Sequence, residues 1–295
     1  MEKIYLRIAE HPFVVEGGKE LELVRQVPGF APFIVGEHPE EHPFEVRFGS
    51  SFDFEDAACR LIHEFDFKED DIHCRFLSKG DTYFFSLTYS HASGQEVCVL
   101  KHEKGERLIL ATGTEHTTIL RFALWFSVVL FFAPIKATMI HSSVIVHDNQ
   151  AVLFLGESGT GKSTHTRLWL KYIPDAHLLN DDSPIVAIEE GRAHVYGAPW
   201  SGKTHCYHRL KFPLKAAVRL SQGPKNVMRP LSVLEAFSAL QPSCPPSLAY
   251  DAYFSDCIIA MLSDMLQQTP VYHLSCLPDE GAAQLSRKTV FGLEN

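Results

Sequence analysis

The sequence predicts a two-part α/β protein. A β-rich α+β region spans residues 1–115, and an α/β unit built on a phosphate-binding loop spans residues 116–295. Three observations point there. Short alternating segments and glycine turns punctuate the first stretch. The apolar run Ala151 to Leu155 leads directly into Gly156-Glu157-Ser158-Gly159-Thr160-Gly161-Lys162-Ser163-Thr164. From Lys162 onward, helical and strand patterns succeed one another to the C-terminus.

Composition sets the frame for the elements. The chain has 295 residues, 45% hydrophobic and 21% charged, which is enough apolar material for a core. Its net charge is -9, so no cationic surplus draws it to nucleic acid or anionic lipid. Seven cysteines form no Cys-x-x-Cys pair, and reduced thiols are expected rather than a disulfide framework. The N-terminus carries no signal-peptide core, and the chain is expected to be cytoplasmic. No nucleic-acid or membrane partner is expected, and self-association stays open.

In the N-terminal region, Lys3–Ile8, Phe44–Phe48, His73–Phe76, Thr82–Leu87, Val97–Lys101 and Arg107–Ala111 carry β-formers or alternate in polarity. Ser93-Gly94 and Lys104-Gly105 read as turns. The stretch from Gly36 to Pro43 reads as a polar loop, and Phe54–Cys59 as a short helix. No motif here attaches to chemistry. The apolar segment Phe122 to Ile135 is bounded by Arg121 and Lys136 and contains Pro134. It falls short of the ~18 uncharged residues that span a bilayer, so a buried helix is expected.

Ser143–His147 and Ala151–Leu155 read as strands around an Asp148-Asn149 turn, the second being the buried strand ahead of the loop. Lys162–Tyr172 is a helix stopped before Pro174. Leu178-Leu179 opens a strand ending at Asn180-Asp181-Asp182. Pro184–Ile188 and Ala193–Tyr196 form a hairpin around Glu190-Gly191, and Ala216–Leu220 is a further strand. Leu231–Leu240 and Tyr250–Gln267 have helical spacing. Val271–Leu277 closes as a strand, and Asp279–Thr289 as a helix with Asp279 at its N-cap.

Gly156, Gly161, Lys162 and Ser163 satisfy G-x-x-x-x-G-K-[ST]. Glycines let the backbone curl so that successive N–H groups face phosphate oxygens. The helix beginning at Lys162 adds its positive end. Lys162 is expected at the β- and γ-phosphates, the Ser163 hydroxyl on Mg²⁺, and Thr164 near the α-phosphate. Gly156, Ser158, Gly159, Thr160, Gly161, Lys162, Ser163 and Thr164 thus form the expected nucleotide site. ATP and Mg²⁺ are the expected cofactors. Asp181-Asp182 ends a strand downstream. Paired carboxylates there can divide the work between holding metal and accepting a hydroxyl proton.

Together these residues resemble the HPr kinase/phosphorylase family and the related ATP-dependent phosphoenolpyruvate carboxykinases. The shared features are His141 before a strand pair, the Gly-x-Ser-Gly-x-Gly-Lys-Ser loop, and the Asp-Asp pair. The likeness covers residues 138 to 220, and the rest of the C-terminal half more loosely. It implies a P-loop HPr-kinase/phosphoenolpyruvate-carboxykinase-like catalytic domain. It also implies that Asp181 acts as base on a serine hydroxyl, that Asp182 serves the metal, and that His141 supports Asp181. Thr164 stands where HPr kinases carry Glu, and Tyr196–Thr204 replaces the family's later glycine-rich signature. The chain is therefore more similar to divergent members that act on peptides than to enzymes acting on HPr itself.

Lys203 and Thr204 are candidate substrate contacts, within a donor-rich stretch from Trp200 to Arg209. Arg219 is a candidate for neutralising transition-state charge. The expected activity is transfer of the γ-phosphoryl group of ATP to a Ser or Thr hydroxyl of a peptide or small protein. A small-molecule or carboxykinase-like kinase is the alternative, as is a nucleotide-gated adaptor without transfer activity.

Overall fold

The computed structural model describes residues 2–36, 42–89, 98–202 and 204–292. The Ser93-Gly94 turn, most of the polar loop from Gly36 to Pro43, and Lys203 lie outside the described residues. The chain is a mixed α/β protein with two large sheets. It divides into two compact units, Met1–Ile135 with Ser247–Ser255, and Lys136–Pro246 with Asp256–Asn295.

The first unit is built on a sheet of nine strands among the described residues. In spatial order they are Ile34–Val35, Glu2–Ile8, His11–Gly17, Phe44–Arg47, Leu108–Ala111, Cys98–Glu103, Thr82–Tyr89, Ile72–Lys79 and Arg60–Phe67. The expected strands are present. His11–Gly17, Arg60–Phe67 and the helix Lys19–Gln26 are additions that the sequence patterns did not yield. The expected short helix near Phe54 is one 3₁₀ turn, Asp56–Ala58.

The apolar segment is a helix, Thr117–Phe132, continued by a 3₁₀ turn to Ile135. It is long and apolar enough to cross a membrane, but 72% of its apolar window is buried within the chain. The sequence division at 116 groups it with the loop-bearing unit, whereas by contacts it belongs with the N-terminal sheet. Phe126 stacks on Phe85, Phe131 on Phe44 and Phe122 on Phe67. A helix apolar nearly all round has no face for water, so it is covered by the broad aromatic face of that sheet.

The second unit has the strand order Ala137–Met139, Ile185–Glu189, Arg192–Tyr196, Lys211–Gln222, Gln150–Leu155, Ser142–His147, His177–Asp182. Lys211–Gln222 begins antiparallel to Arg192–Tyr196, then runs parallel to both Gln150–Leu155 and Val271–Cys276. Gln150–Leu155 lies between two neighbours with both faces covered, which is why its sequence is a continuous apolar run. The helix Lys162–Tyr172 stops at Ile173, whose extended backbone suits the residue before Pro174. The last helix, Glu280–Phe291, starts where the Asp279 carboxylate accepts from Ala282 N at 2.9 Å.

These two helices cover one sheet face over Ile145, Val152, Phe154, Val218 and Leu274. The fully buried Trp169 joins them by donating from Nε1 to Ser286 Oγ at 2.9 Å, with His165 Nε2 3.2 Å away. Trp169→Phe keeps much of the volume but leaves these buried polar groups short of a donor. It is expected to lower stability by about 1–3 kcal/mol in denaturant unfolding.

Burial pulls the His165 pKa down to about 4. Above an ordinary unfolded value near 6.5 the imidazole is neutral in both states. Between that value and about 4 only the unfolded chain binds the proton. Stability is therefore expected to fall as pH drops through this window, by roughly 3 kcal/mol in all. His165→Gln should flatten that part of the curve in pH-dependent urea titrations.

Candidate active site

The strand Gln150–Leu155 delivers the glycine-rich loop Gly156–Gly161 at its C-terminal end. Gly156 turns the chain at φ +153°, and a Cβ there would collide with Thr160 Oγ1. Gly161 sits at φ +104° immediately before the helix. Both positions require glycine. Lys162 Nζ donates to Gly156 O at 2.7 Å and lies 3.0 Å from His141 Nε2. Burial lowers the pKa of this ammonium, while the charges of Asp182 and Asp181 act in the opposite sense. Ser158 and Gly159 are exposed at the loop tip, and Thr160 Oγ1 donates to Glu157 O at 2.8 Å. Thr164 Oγ1 accepts from Arg167 at 3.3 Å.

The acidic strand His177–Asp182 runs antiparallel to Ser142–His147, pairing Ser143 with Asp181 and Ser142 with Asp182. Successive strand residues face opposite sides, so the two carboxylates meet different partners. Asp181 is buried and accepts from Ser143 Oγ and from Ser163 Oγ, the latter at 3.2 Å. Asp182 lies 3.1 Å from His141 Nδ1 and accepts from Ser183 Oγ at 2.7 Å. Its backbone sits at φ +150°, a conformation few side chains adopt.

Lys162, His141 and Asp182 thus form a chain. A lysine ammonium only donates, so His141 Nε2 is set as acceptor and Nδ1–H as donor to Asp182. The resemblance implies that His141 supports Asp181. In the structure its imidazole meets Asp182 instead, and the loop serine meets Asp181.

The neighbouring segment is tied to the acidic strand. Asn180 Nδ2 donates to Trp200 O at 2.9 Å, and Gly202 N donates to Asp181 O at 2.5 Å. A Cβ at Gly202 would approach Asp181 O to 2.9 Å. Thr204 is exposed, its carbonyl accepting from Ser201 Oγ at 2.6 Å. Trp200, expected beside the surface donors, is buried. Arg219 follows the register of the central strand, opposite Leu155, and reaches Glu157 of the loop at 3.8 Å.

The structure therefore brings together His141, the loop, Ser163, Asp181, Asp182 and Arg219. Three contributors were not singled out from sequence. Ser143 holds Asp181, Asn180 fixes the following segment, and Gly202 permits its close approach. Their only sequence signal is adjacency to the acidic pair or to the strand after His141.

A scan against protein-family models gives no match, and no curated protein matches the chain. Among solved structures, the chain is similar to the HPr(Ser) kinase/phosphatase from Coxiella burnetii. The two share 13% identity with a TM-score of 0.30, over 52% of this chain and 94% of that one.

Proposed function

We propose that this protein is an ATP- and Mg²⁺-dependent kinase that transfers the γ-phosphoryl group to a Ser or Thr hydroxyl of a peptide or small protein. The observation that carries the reading is the meeting of two networks at one strand end. Ser163 with Asp181 forms one, and Lys162, His141 and Asp182 form the other.

The residues fit the cofactors. Gly156 and Gly161 adopt the backbone that a phosphate cradle needs, and Lys162 opens the helix that follows. A hydroxyl and a carboxylate in contact, Ser163 and Asp181, form an oxygen donor set suited to Mg²⁺. Bound Mg²⁺ supplies neutralisation of charge on phosphate oxygens. Lys162 and Arg219 contribute positive charge from the protein.

Asp182 is the better general base. Its carboxylate is oriented by His141 Nδ1–H, and its side chain is 37% exposed beside a His141 that is 48% exposed. It receives the proton as the acceptor oxygen attacks, and His141 holds the protonated and ionised forms in place. Strained backbone at such a residue is common at active sites. The exposure of the pair suits a hydroxyl presented on a polypeptide rather than a metabolite sealed from water.

The test is incubation of the protein with γ-labelled ATP and a Ser/Thr peptide library, with mass spectrometry of the products. Label on peptide hydroxyls that depends on Mg²⁺ supports the reading. Label confined to small metabolites moves it to the metabolite kinase. Nucleotide binding without transfer to any acceptor moves it to the adaptor.

A further inference from the structure

The register of the second unit lines up side chains from the acidic strand to the far edge of the sheet. Ser142 pairs with Asp182, Ser143 with Phe154, Leu155 with Arg219, Arg219 with His273, and His273 with Arg229 of the edge strand Val227–Pro230. Phe154, Val218, Leu274 and Met228 pack beneath the two helices, so by alternation Leu155, Arg219, His273 and Arg229 face the other side. Asp182 faces that side too, because its neighbour Asp181 turns to Ser143 and Ser163. The proposed general base and a line of basic side chains therefore share one sheet face.

Setting Arg219, His273 and Arg229 side by side works against the fold, since like charges directly opposite one another repel. His273 escapes by staying neutral at pH 7. Burial, then the charges of Arg229 and Arg219, lower its pKa against the opposing charge of Glu235. Its Nε2 lies 2.9 Å from Ser221 Oγ. Both guanidiniums stay charged.

Arg229 is positioned by the fold. Its Nη2 donates to Glu235 Oε1 at 2.8 Å, and its Nη1 to Glu235 Oε2 and to Pro230 O, each at 3.3 Å. Glu235 is itself fixed in the capping box of the helix Val233–Leu240. The Arg229 Nε–H and its second Nη2–H make no bond among the described residues, and the side chain is 53% exposed. That free edge has the fork geometry that receives a carboxylate through two hydrogen bonds.

Four strand steps separate Asp182 from His273 and five separate it from Arg229. At ~4.8 Å per step these are about 19 and 24 Å, which an extended chain covers in about six or seven residues. We infer that the strip formed by His273 and Arg229 docks an acidic side chain of the acceptor peptide, about six or seven residues from the hydroxyl that receives phosphate. The inference rests on the peptide-kinase reading proposed above, and it adds an acidic substrate class to it.

The test uses one Ser peptide that the library assay shows to be phosphorylated. It is made with Glu, or with Gln, at the sixth and seventh positions on both sides of the acceptor. KM and kcat are measured for the wild type, Arg229→Gln and His273→Gln, with circular dichroism to check folding. The wild type is expected to show a KM about fivefold lower for the Glu peptide, the scale of one well-formed exposed ion pair. Added salt should shrink that advantage. Arg229→Gln should remove most of it and His273→Gln part of it, with kcat, KM for MgATP and KM for the Gln peptide unchanged within about twofold. If the wild type does not distinguish the peptides, or the preference survives in both variants, the inference falls while the kinase reading stands. An equal loss on both peptides, or weakened MgATP binding, places Arg229 in the fold or the nucleotide site and also overturns it. If no peptide is phosphorylated, the kinase reading fails and the inference with it.

Discussion

Lys162→Ala is expected to weaken MgATP binding by about 10- to 100-fold and to abolish turnover. Loss of a hydrogen bond between charged partners costs ~1.5–3 kcal/mol, which sets that range. The argument depends on where the ammonium sits. Its Nζ is held by Gly156 O at the start of the loop and by His141, with two carboxylates close enough to perturb it. A cation so placed is poised between the loop amides and the acidic pair, where triphosphate charge would fall. Helix Lys162–Tyr172 keeps its buried anchor, Trp169, in the variant, so folding should be retained. Calorimetry for affinity and circular dichroism for folding separate the two effects. An unchanged Kd in a folded variant would remove Lys162 from the site.

The parts legible in sequence were those whose pattern is local. The strand Gln150–Leu155 is apolar because both its faces are covered, and the helix bounds at Lys162 and Tyr172 follow from a glycine loop and a proline stop. The hairpin turn at Glu190-Gly191 was equally visible, because both residues adopt positive φ. His11–Gly17 and Arg60–Phe67 escaped because polar residues and His interrupt their alternation, and hairpin pairing with the neighbouring strands Glu2–Ile8 and Ile72–Lys79 makes up the difference. The apolar helix was recognisable as buried, but which sheet covers it depends on aromatic contacts with Phe44, Phe67 and Phe85. In the site, the identities of His141, Lys162, Ser163, Asp181 and Asp182 were legible. Their pairing was not. Which carboxylate faces the serine is set by the register of the acidic strand against Ser142–His147, and no local pattern encodes that register.

That pairing makes the largest kinetic prediction. Asp182→Asn should bind MgATP with affinity close to wild type yet transfer phosphate ~10²–10⁴-fold more slowly, the usual contribution of a general base. Asparagine keeps the shape and can still accept from His141 Nδ1, but it cannot take up a proton. Asp181→Asn should behave differently. Its carboxylate holds the Ser163 and Ser143 hydroxyls, so the variant should need more Mg²⁺ for half-maximal rate and recover part of its activity at high Mg²⁺. His141→Gln gives a third reading, since it removes the group that orients Asp182. It should lower kcat with little change in KM for ATP. The measurements are Mg²⁺ titrations of kcat and KM for each variant on one peptide substrate. If Asp181→Asn loses the rate at saturating Mg²⁺ while Asp182→Asn shifts only the Mg²⁺ dependence, the roles are exchanged and the base is Asp181, as the family resemblance implies. If both keep wild-type rates, neither carboxylate is the base, and His141 becomes the group to test for that role.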